Sequence, residues 1–263
     1  MEQTQEFWKL VLNGNHLVPL ADEKGATFVD ANCLFGEYVM DLANEFPNVQ
    51  VIGIGKEYNS PMAKPENCAF IVEDVVKGIN ISSNSCKFVQ SRDVALWMKE
   101  DNWVPYLAEL YRILEENAWI QVIEMDVWRD YPSGEGGGFR DWSETVFPAL
   151  ASTKGICVHN LNRKLLESAT AVGFTDISPL HYEIPVGHWE RRVFGMLLFN
   201  CNLLAGPKFV EAGKRLRENL LKCVETKRAL LFSIVMDRMQ AEILIASARG
   251  ELYDDNFRAL HHV

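Results

Sequence analysis

The sequence predicts an α/β protein built on a mainly parallel, doubly wound sheet. Three observations point there. Short apolar runs alternate with segments of helical period through the first half of the chain. The stretch FVDANCLFGEYVMDLANEFPNVQVIGIGKE, residues 28–57, has the layout of a first βαβ unit: an apolar run ending in Asp30, a turn, an amphipathic segment and a second apolar run. At 263 residues, 48% hydrophobic and 24% charged, the chain has ordinary globular composition and the length for one large domain or a core with a lid.

Taken in order, residues 5–12 (QEFWKLVL) read as a short helix and 27–31 as a strand. Residues 36–46 carry apolar side chains at 39, 40, 42, 43 and 46, a helical period that stops before Pro47. Residues 49–54, 68–72 and 87–90 read as the next strands. Residues 103–116 form a helix with Leu107, Leu110, Tyr111 and Leu114 on one face, and 119–123 a further strand. After the glycine-rich loop at 133–138, Asp141 is expected to cap a helix reaching about residue 151. A helix at 163–172 stops at Gly173, and 174–184 alternates like a strand. Residues 190–235 are rich in Leu, Phe and Met and read as a helical lid insertion. AEILIASA, 241–248, reads as the closing strand, and the tail DDNFRALHHV as exposed. The domain expectation is therefore a core at 1–189, a lid at 190–235, and a closing strand with tail at 236–263.

A net charge of −10 argues against nucleic acid as the main ligand, because phosphate binding needs a basic face. The six cysteines lack C-x-x-C spacing, so no metal site is expected. The chain opens MEQTQEFWKL, without a leader pattern, and has no apolar run of spanning length. A cytoplasmic protein with reduced, buried thiols and no membrane role is expected.

Four stretches carry a family resemblance: ANEFPNVQVIGIGKE, PENCAFIVEDV, FVQSRDVALWMKEDNWVPYLAELYRILEENAWIQVIEMDVW and LLESATAVGFTDISPLHYEIPVGHW. With them, nearly the whole chain resembles the fungal LaeA/UMTA-like class I methyltransferases, which use S-adenosylmethionine (SAM). The resemblance implies a Rossmann-like class I methyltransferase fold. It also implies that Asp30, Gly36 and Asp74 descend from the cofactor site, Asp74 from the position that meets the adenine amine.

The sequence departs from that pattern where SAM would sit. The first loop in such proteins has the form D-x-G-x-G-x-G, but here Asn32 and Leu34 replace its first two glycines. A side chain at Leu34 crowds the cofactor or displaces the loop. The alternative, that Asn32 replaces a glycine without loss because it tolerates left-handed backbone, leaves Leu34 and Gly55 unexplained. Gly55 takes the place of the acid that holds the ribose hydroxyls, with Glu57 two residues later. Residues 115–118, EENA, replace K-P-G-G. No cofactor is then required, and SAM is left as a vestigial or alternative ligand.

The function expected is a methyltransferase-like enzyme of fungal secondary metabolism that has lost methyl transfer and cyclises a small natural-product intermediate, in the manner of a pericyclase. Such catalysis needs an apolar cavity and one or two donors. The alternatives are a SAM-dependent methyltransferase of a small metabolite and a non-catalytic LaeA-like regulatory partner. The partner expected is a small apolar substrate, with a homodimer or protein partner as the other use.

Catalytic candidates are Arg92, His188, Glu124 and Asp126. Arg92 either stabilises negative charge on a carbonyl or pairs with Asp93 or Glu124. His188 either donates to substrate or is a turn residue. Glu124 and Asp126 either share a proton or a cation, or cap the next segment or pair with Arg129. Trp128, Trp189, Phe194 and Tyr182 are candidates for lining the substrate cavity, although aromatics at such spacing also make plain core.

Overall fold

The computed structural model describes residues 5–56, 63–95, 97–125, 137–157, 160–186, 207–234, 237–254 and 260–262. In chain order the elements are α1 (Gln5–Leu12), β1 (Thr27–Asp30), α2 (Glu37–Glu45), β2 (Gln50–Gly55), β3 (Cys68–Val72), β4 (Cys86–Arg92), α3 (Trp103–Ile113) and β5 (Leu114–Ile123). They continue with α4 (Gly138–Lys154), α5 (Leu161–Val172), β6 (Glu183–Pro185), α6 (Pro207–Thr226), α7 (Arg228–Ile234), α8 (Arg238–Tyr253) and β7 (Leu260–His262). The chain divides into two compact units. One comprises residues 14–124 and 160–179, the other 1–13, 125–159 and 180–263.

The first unit holds a five-stranded, all-parallel sheet in the order β3-β2-β1-β4-β5. The chain builds outward from β1 through β2 to β3, then returns to the other side of β1 as β4. Ligands of such sheets sit beyond the carboxyl ends of the strands at that switch. α2 packs on β1 and β2 because Tyr38, Val39, Leu42 and Ala43 share its buried face. They join Phe28, Val51 and Phe88 in one apolar cluster. α3 and α5 pack together, and Tyr111 of α3 meets Phe174 edge to face at 5.0 Å. Gly173, in left-handed backbone at φ 112°, closes α5 at the position the sequence indicates.

β5 begins at Leu114 rather than 119, directly after α3. Its register against β4 slips there, pairing Cys86 with Leu114 but Phe88 with Trp119. Within the EENA segment Asn117 takes left-handed backbone at φ 61°, so the extra residues are absorbed as a bulge.

In the second unit, α4 lies on α8 and α1 on α6. Three expectations fail here. Residues 241–248 form part of helix α8, not a closing strand. The run AEILIASA suits either period, and what decides is that Ala241, Ile245, Ala248 and Leu252 fall on one buried face. Asp237 caps that helix, its carboxylate accepting the Met239 N–H at 3.3 Å. Second, Asp141 does not cap α4, which starts three residues earlier, at Gly138. The Phe139 N–H is instead taken by the Glu251 carboxylate of α8 at 2.6 Å. Third, residues 174–182 are not a strand. Asp176 turns the chain at φ 53° and Ile177 and Leu180 are exposed, so no buried face holds an extended run together. Only Glu183–Pro185 pairs, antiparallel with Leu260–His262, so part of the tail expected to be exposed is a strand. Of the expected lid, residues 190–206 lie outside the described residues, while 207–226 and 228–234 are helical.

Candidate functional site

The carboxyl ends of β1, β2, β3 and β4 meet around the loop 31–36. Asp30 ends β1 and is buried; its Oδ1 accepts the Asn32 N–H at 3.3 Å. Burial raises its pKa to about 6, against the opposing pull of the Arg92 charge and the Asn32 N–H. The Asn32 side chain then crosses to β4, donating from Nδ2 to the Arg92 carbonyl at 2.8 Å. Asn32 therefore ties two strand ends and does not take left-handed backbone, so the alternative in which it replaces a glycine that way does not hold.

Leu34 takes it instead, at φ 47°, followed by Gly36 at φ 80°. A leucine in that region costs about 1–2 kcal/mol, a penalty a glycine would escape. The loop keeps a path suited to glycine with leucine in it. The path is held from below. The Cys33 N–H donates to the Ile54 carbonyl at 2.8 Å, and the Gly36 N–H to the Cys33 carbonyl at 2.6 Å. Underneath is Gly53 of β2, where an added Cβ would come within 2.8 Å of Val39, 2.9 Å of Cys33 and 2.9 Å of Phe70. The Cys33 thiol is buried, and burial together with the Asp30 charge pushes its pKa up to about 12, so it is not a nucleophile.

A small cleft opens above this floor, bounded by Asn32, Gly55, Lys56, Asp74, Trp97 and Tyr106 among others. Its empty space is about 240 Å³ counting what is open to solvent, and the part walled off by protein is about the size of one water molecule, far below an organic-ligand pocket. Lys56 spans it. Its Nζ lies 4.3 Å from the centroid of the Trp97 ring and 3.6 Å from Asp74 Oδ2. Asp74 also caps the single 3-10 turn Val75–Lys77 through the Val76 N–H at 3.3 Å, with Lys77 3.8 Å away. Tyr106 sits below with its hydroxyl 2.8 Å from Ser91 Oγ.

Arg92 ends β4 with only 8% of its surface exposed, its guanidinium 4.7 Å from the Tyr38 ring centroid. Glu124 follows β5 and is buried. Its two carboxylate oxygens accept the Val94 N–H at 3.0 Å and the Ala95 N–H at 2.9 Å, so it fastens the turn after β4 rather than capping the next segment. Burial and neighbouring Asp93 raise its pKa to about 8 against those two bonds. That turn carries Trp97 to the cleft.

The structure thus gathers Asp30, Gly36, Asp74, Arg92 and Glu124 in the sheet-bearing unit. Tyr182, half-buried and with its phenol pKa raised by burial, belongs to the other unit. His188, Asp126, Trp128, Trp189 and Phe194 lie outside the described residues. Sequence reasoning missed Lys56, Trp97 and Tyr106. The available signal was a cation directly after Gly55 and an aromatic a few residues past β4. Among the described residues no cluster of three or more His, Cys, Asp or Glu side chains is placed to hold a metal ion.

No protein-family model matches the chain. It is 26% identical over 178 residues to the secondary metabolism regulator laeA of Aspergillus fumigatus, covering 63% of this chain and 46% of that one. It is 23% identical over 167 residues to the protein-methionine methyltransferase laeA of Emericella nidulans, covering 62% and 44%. The methyltransferase pytC of Aspergillus terreus matches at 21% over 254 residues, 93% of this chain and 71% of that one. Among solved structures, phosphoethanolamine N-methyltransferase 2 of Haemonchus contortus, bound to phosphomonomethylethanolamine and S-adenosylhomocysteine, superposes with a TM-score of 0.51 at 16% identity. That match covers 98% of this chain and 51% of the other. The fold is that of the class I, Rossmann-like methyltransferases. The chain is a distant, methyltransferase-like homologue of fungal secondary-metabolism proteins, and its matched stretch spans about half the length of the laeA proteins.

At the end of β2 the described residues differ from the pattern expected of a SAM site, and Glu57 lies outside the described residues. Gly55 offers no carboxylate to a ribose, and the next side chain places an ammonium in the cleft and binds it to Asp74.

Proposed function

We propose that the protein serves fungal secondary metabolism without orthodox methyl transfer, and that it cyclises a small, largely apolar natural-product intermediate. The observation that supports this is Lys56 bridging Trp97 and Asp74 across the cleft where relatives are expected to seat adenosine. A nucleoside must displace that side chain, break its pairing with Asp74 and do without an acid at Gly55. A charge-assisted hydrogen bond is worth about 1.5–3 kcal/mol, so losing the acid alone weakens binding about ten- to hundredfold. Without a cofactor, this fold catalyses by confining a flexible substrate and polarising it with a fixed donor. His188 and Arg92 are the proposed donors. For Arg92, burial against Tyr38 favours action through its charge rather than direct contact.

A second reading, SAM-dependent methylation of a small metabolite, is favoured by two features. Leu34 keeps the glycine-like path of the loop, and Asp74 is retained after β3. Calorimetry with SAM and S-adenosylhomocysteine separates the two, alongside assays of polyene intermediates with and without SAM. The first reading expects no low-micromolar nucleoside binding and turnover independent of SAM. Tight binding with a methylated product made only when SAM is present establishes the second.

A further inference from the structure

The arrangement that argues against a nucleoside in the cleft also points to what the cleft can bind. A tryptophan face and a carboxylate converge on one point, and a positive charge sits at that point. The Trp97 ring lies 4.3 Å from Lys56 Nζ, and Asp74 Oδ2 lies 3.6 Å from it on another side. An aromatic face attracts a cation through its quadrupole, most strongly for tryptophan, and a carboxylate adds a full charge. Both partners are fixed independently of the lysine. Trp97 is set by the turn that Glu124 fastens, and Asp74 by its cap on the Val76 N–H. The lysine is not fixed in this way: its side chain is 52% exposed and a long flexible stem allows it to swing out to water.

The charges left behind decide what replaces it. Glu73 and Asp74 both line the cleft, against Lys77, which is largely exposed and touches Asp74 at 3.8 Å. Glu73 accepts the Asn80 N–H at 2.8 Å beside the opening. With Lys56 withdrawn, the two carboxylates outnumber the one ammonium. An anion gains nothing there; a cation regains what Lys56 gave up.

We infer that the Trp97–Asp74 pair is a seat for an alkylammonium group of a small molecule, and that Lys56 occupies it as a built-in competitor. A substrate amine that enters displaces Lys56 and takes over its contacts with ring and carboxylate. This names a ligand class for the same cleft and rests on the reading that no nucleoside fills it.

The experiment uses the full chain with tetramethylammonium as the probe, its binding followed by NMR line broadening with no nucleoside present. Folding is checked by circular dichroism. Unmodified protein is expected to bind weakly. Lys56→Ala and Lys56→Met are both expected to bind at least about tenfold more tightly, since each removes the competing charge. Adding Trp97→Ala, or Asp74→Asn (which keeps the cap), to either variant should abolish that gain. Sodium at the same concentration should not compete, because it has no use for the ring. Failure of both lysine variants to gain affinity overturns the inference. So does a gain that survives loss of Trp97, or one that sodium erases. SAM is titrated separately: tight SAM binding by the unmodified chain defeats the function proposed above, whereas the seat stands or falls on tetramethylammonium.

Discussion

Leu34 holds a backbone conformation that suits glycine better than leucine. Its φ of 47° is the left-handed conformation a glycine takes at little cost. Leu34→Gly and Leu34→Ala remove the same half-buried side chain, but only glycine also relieves the strain. The glycine variant should therefore be the more stable of the two by about 1 kcal/mol, read from urea denaturation. Equal midpoints would mean the loop stores no strain there. Lys56 makes the complementary case. Lys56→Glu removes the bridge to Asp74 and supplies an acid one residue beyond Gly55, so it should raise SAH affinity above that of the unmodified chain by calorimetry. Unchanged or weaker binding would show that Lys56 is not what excludes the nucleoside. Neither effect was legible in the sequence. The replacement of glycines is visible there, but which of Asn32 and Leu34 turns left-handed depends on Asn32 finding the Arg92 carbonyl sixty residues away.

At the scale of elements, the strands and helices of the sheet-bearing unit were legible because their periods are strong and their ends marked: Asp30 closing β1, Pro47 just past α2, Gly173 after α5. α8 was not, because AEILIASA is short and apolar and its cap, Asp237, lies outside the run. The α4–α8 pair depends on a close approach at Gly138. A Cβ there would lie 2.2 Å from Ser247 Oγ and 2.5 Å from the Ser247 backbone carbon. Gly138→Ala should force the helices apart and cost about 1–3 kcal/mol in urea denaturation, the usual range for overpacking. Asp237→Ala, which only removes a cap, should cost about 1 kcal/mol. If the cap proves the costlier of the two, the close approach does not constrain the pair. The start of α4 was illegible for a related reason: its capping carboxylate, Glu251, comes from α8 and not from the neighbouring sequence.

For the whole molecule, two buried carboxylates beneath the cleft set how stability changes with pH. Both Asp30 and Glu124 hold their protons more tightly when folded, to about 6 and about 8. Between the unfolded and folded values the native state binds the extra proton, so each contribution is complete in acid and is lost as pH rises through the folded value. Stability should decline from about pH 4 toward pH 8, by at most about 1.4 kcal/mol per pH unit for each group. Glu124→Gln should flatten the upper part of that decline, above pH 6. It should also lower stability at pH 5 by about 1–3 kcal/mol, because an amide oxygen accepts only one of the two N–H bonds cleanly. A variant whose decline matches the parent's would assign the proton elsewhere.

The three-sided crowding at Gly53 has a consequence for descent. Val39, Cys33 and Phe70 leave no room for a side chain there, so the strand fixes the loop from below while Asn32 ties it to β4. Substitutions above that foundation can then accumulate while the route is inherited intact. A change of side chain in the loop then alters what the loop can touch before it alters where the loop runs.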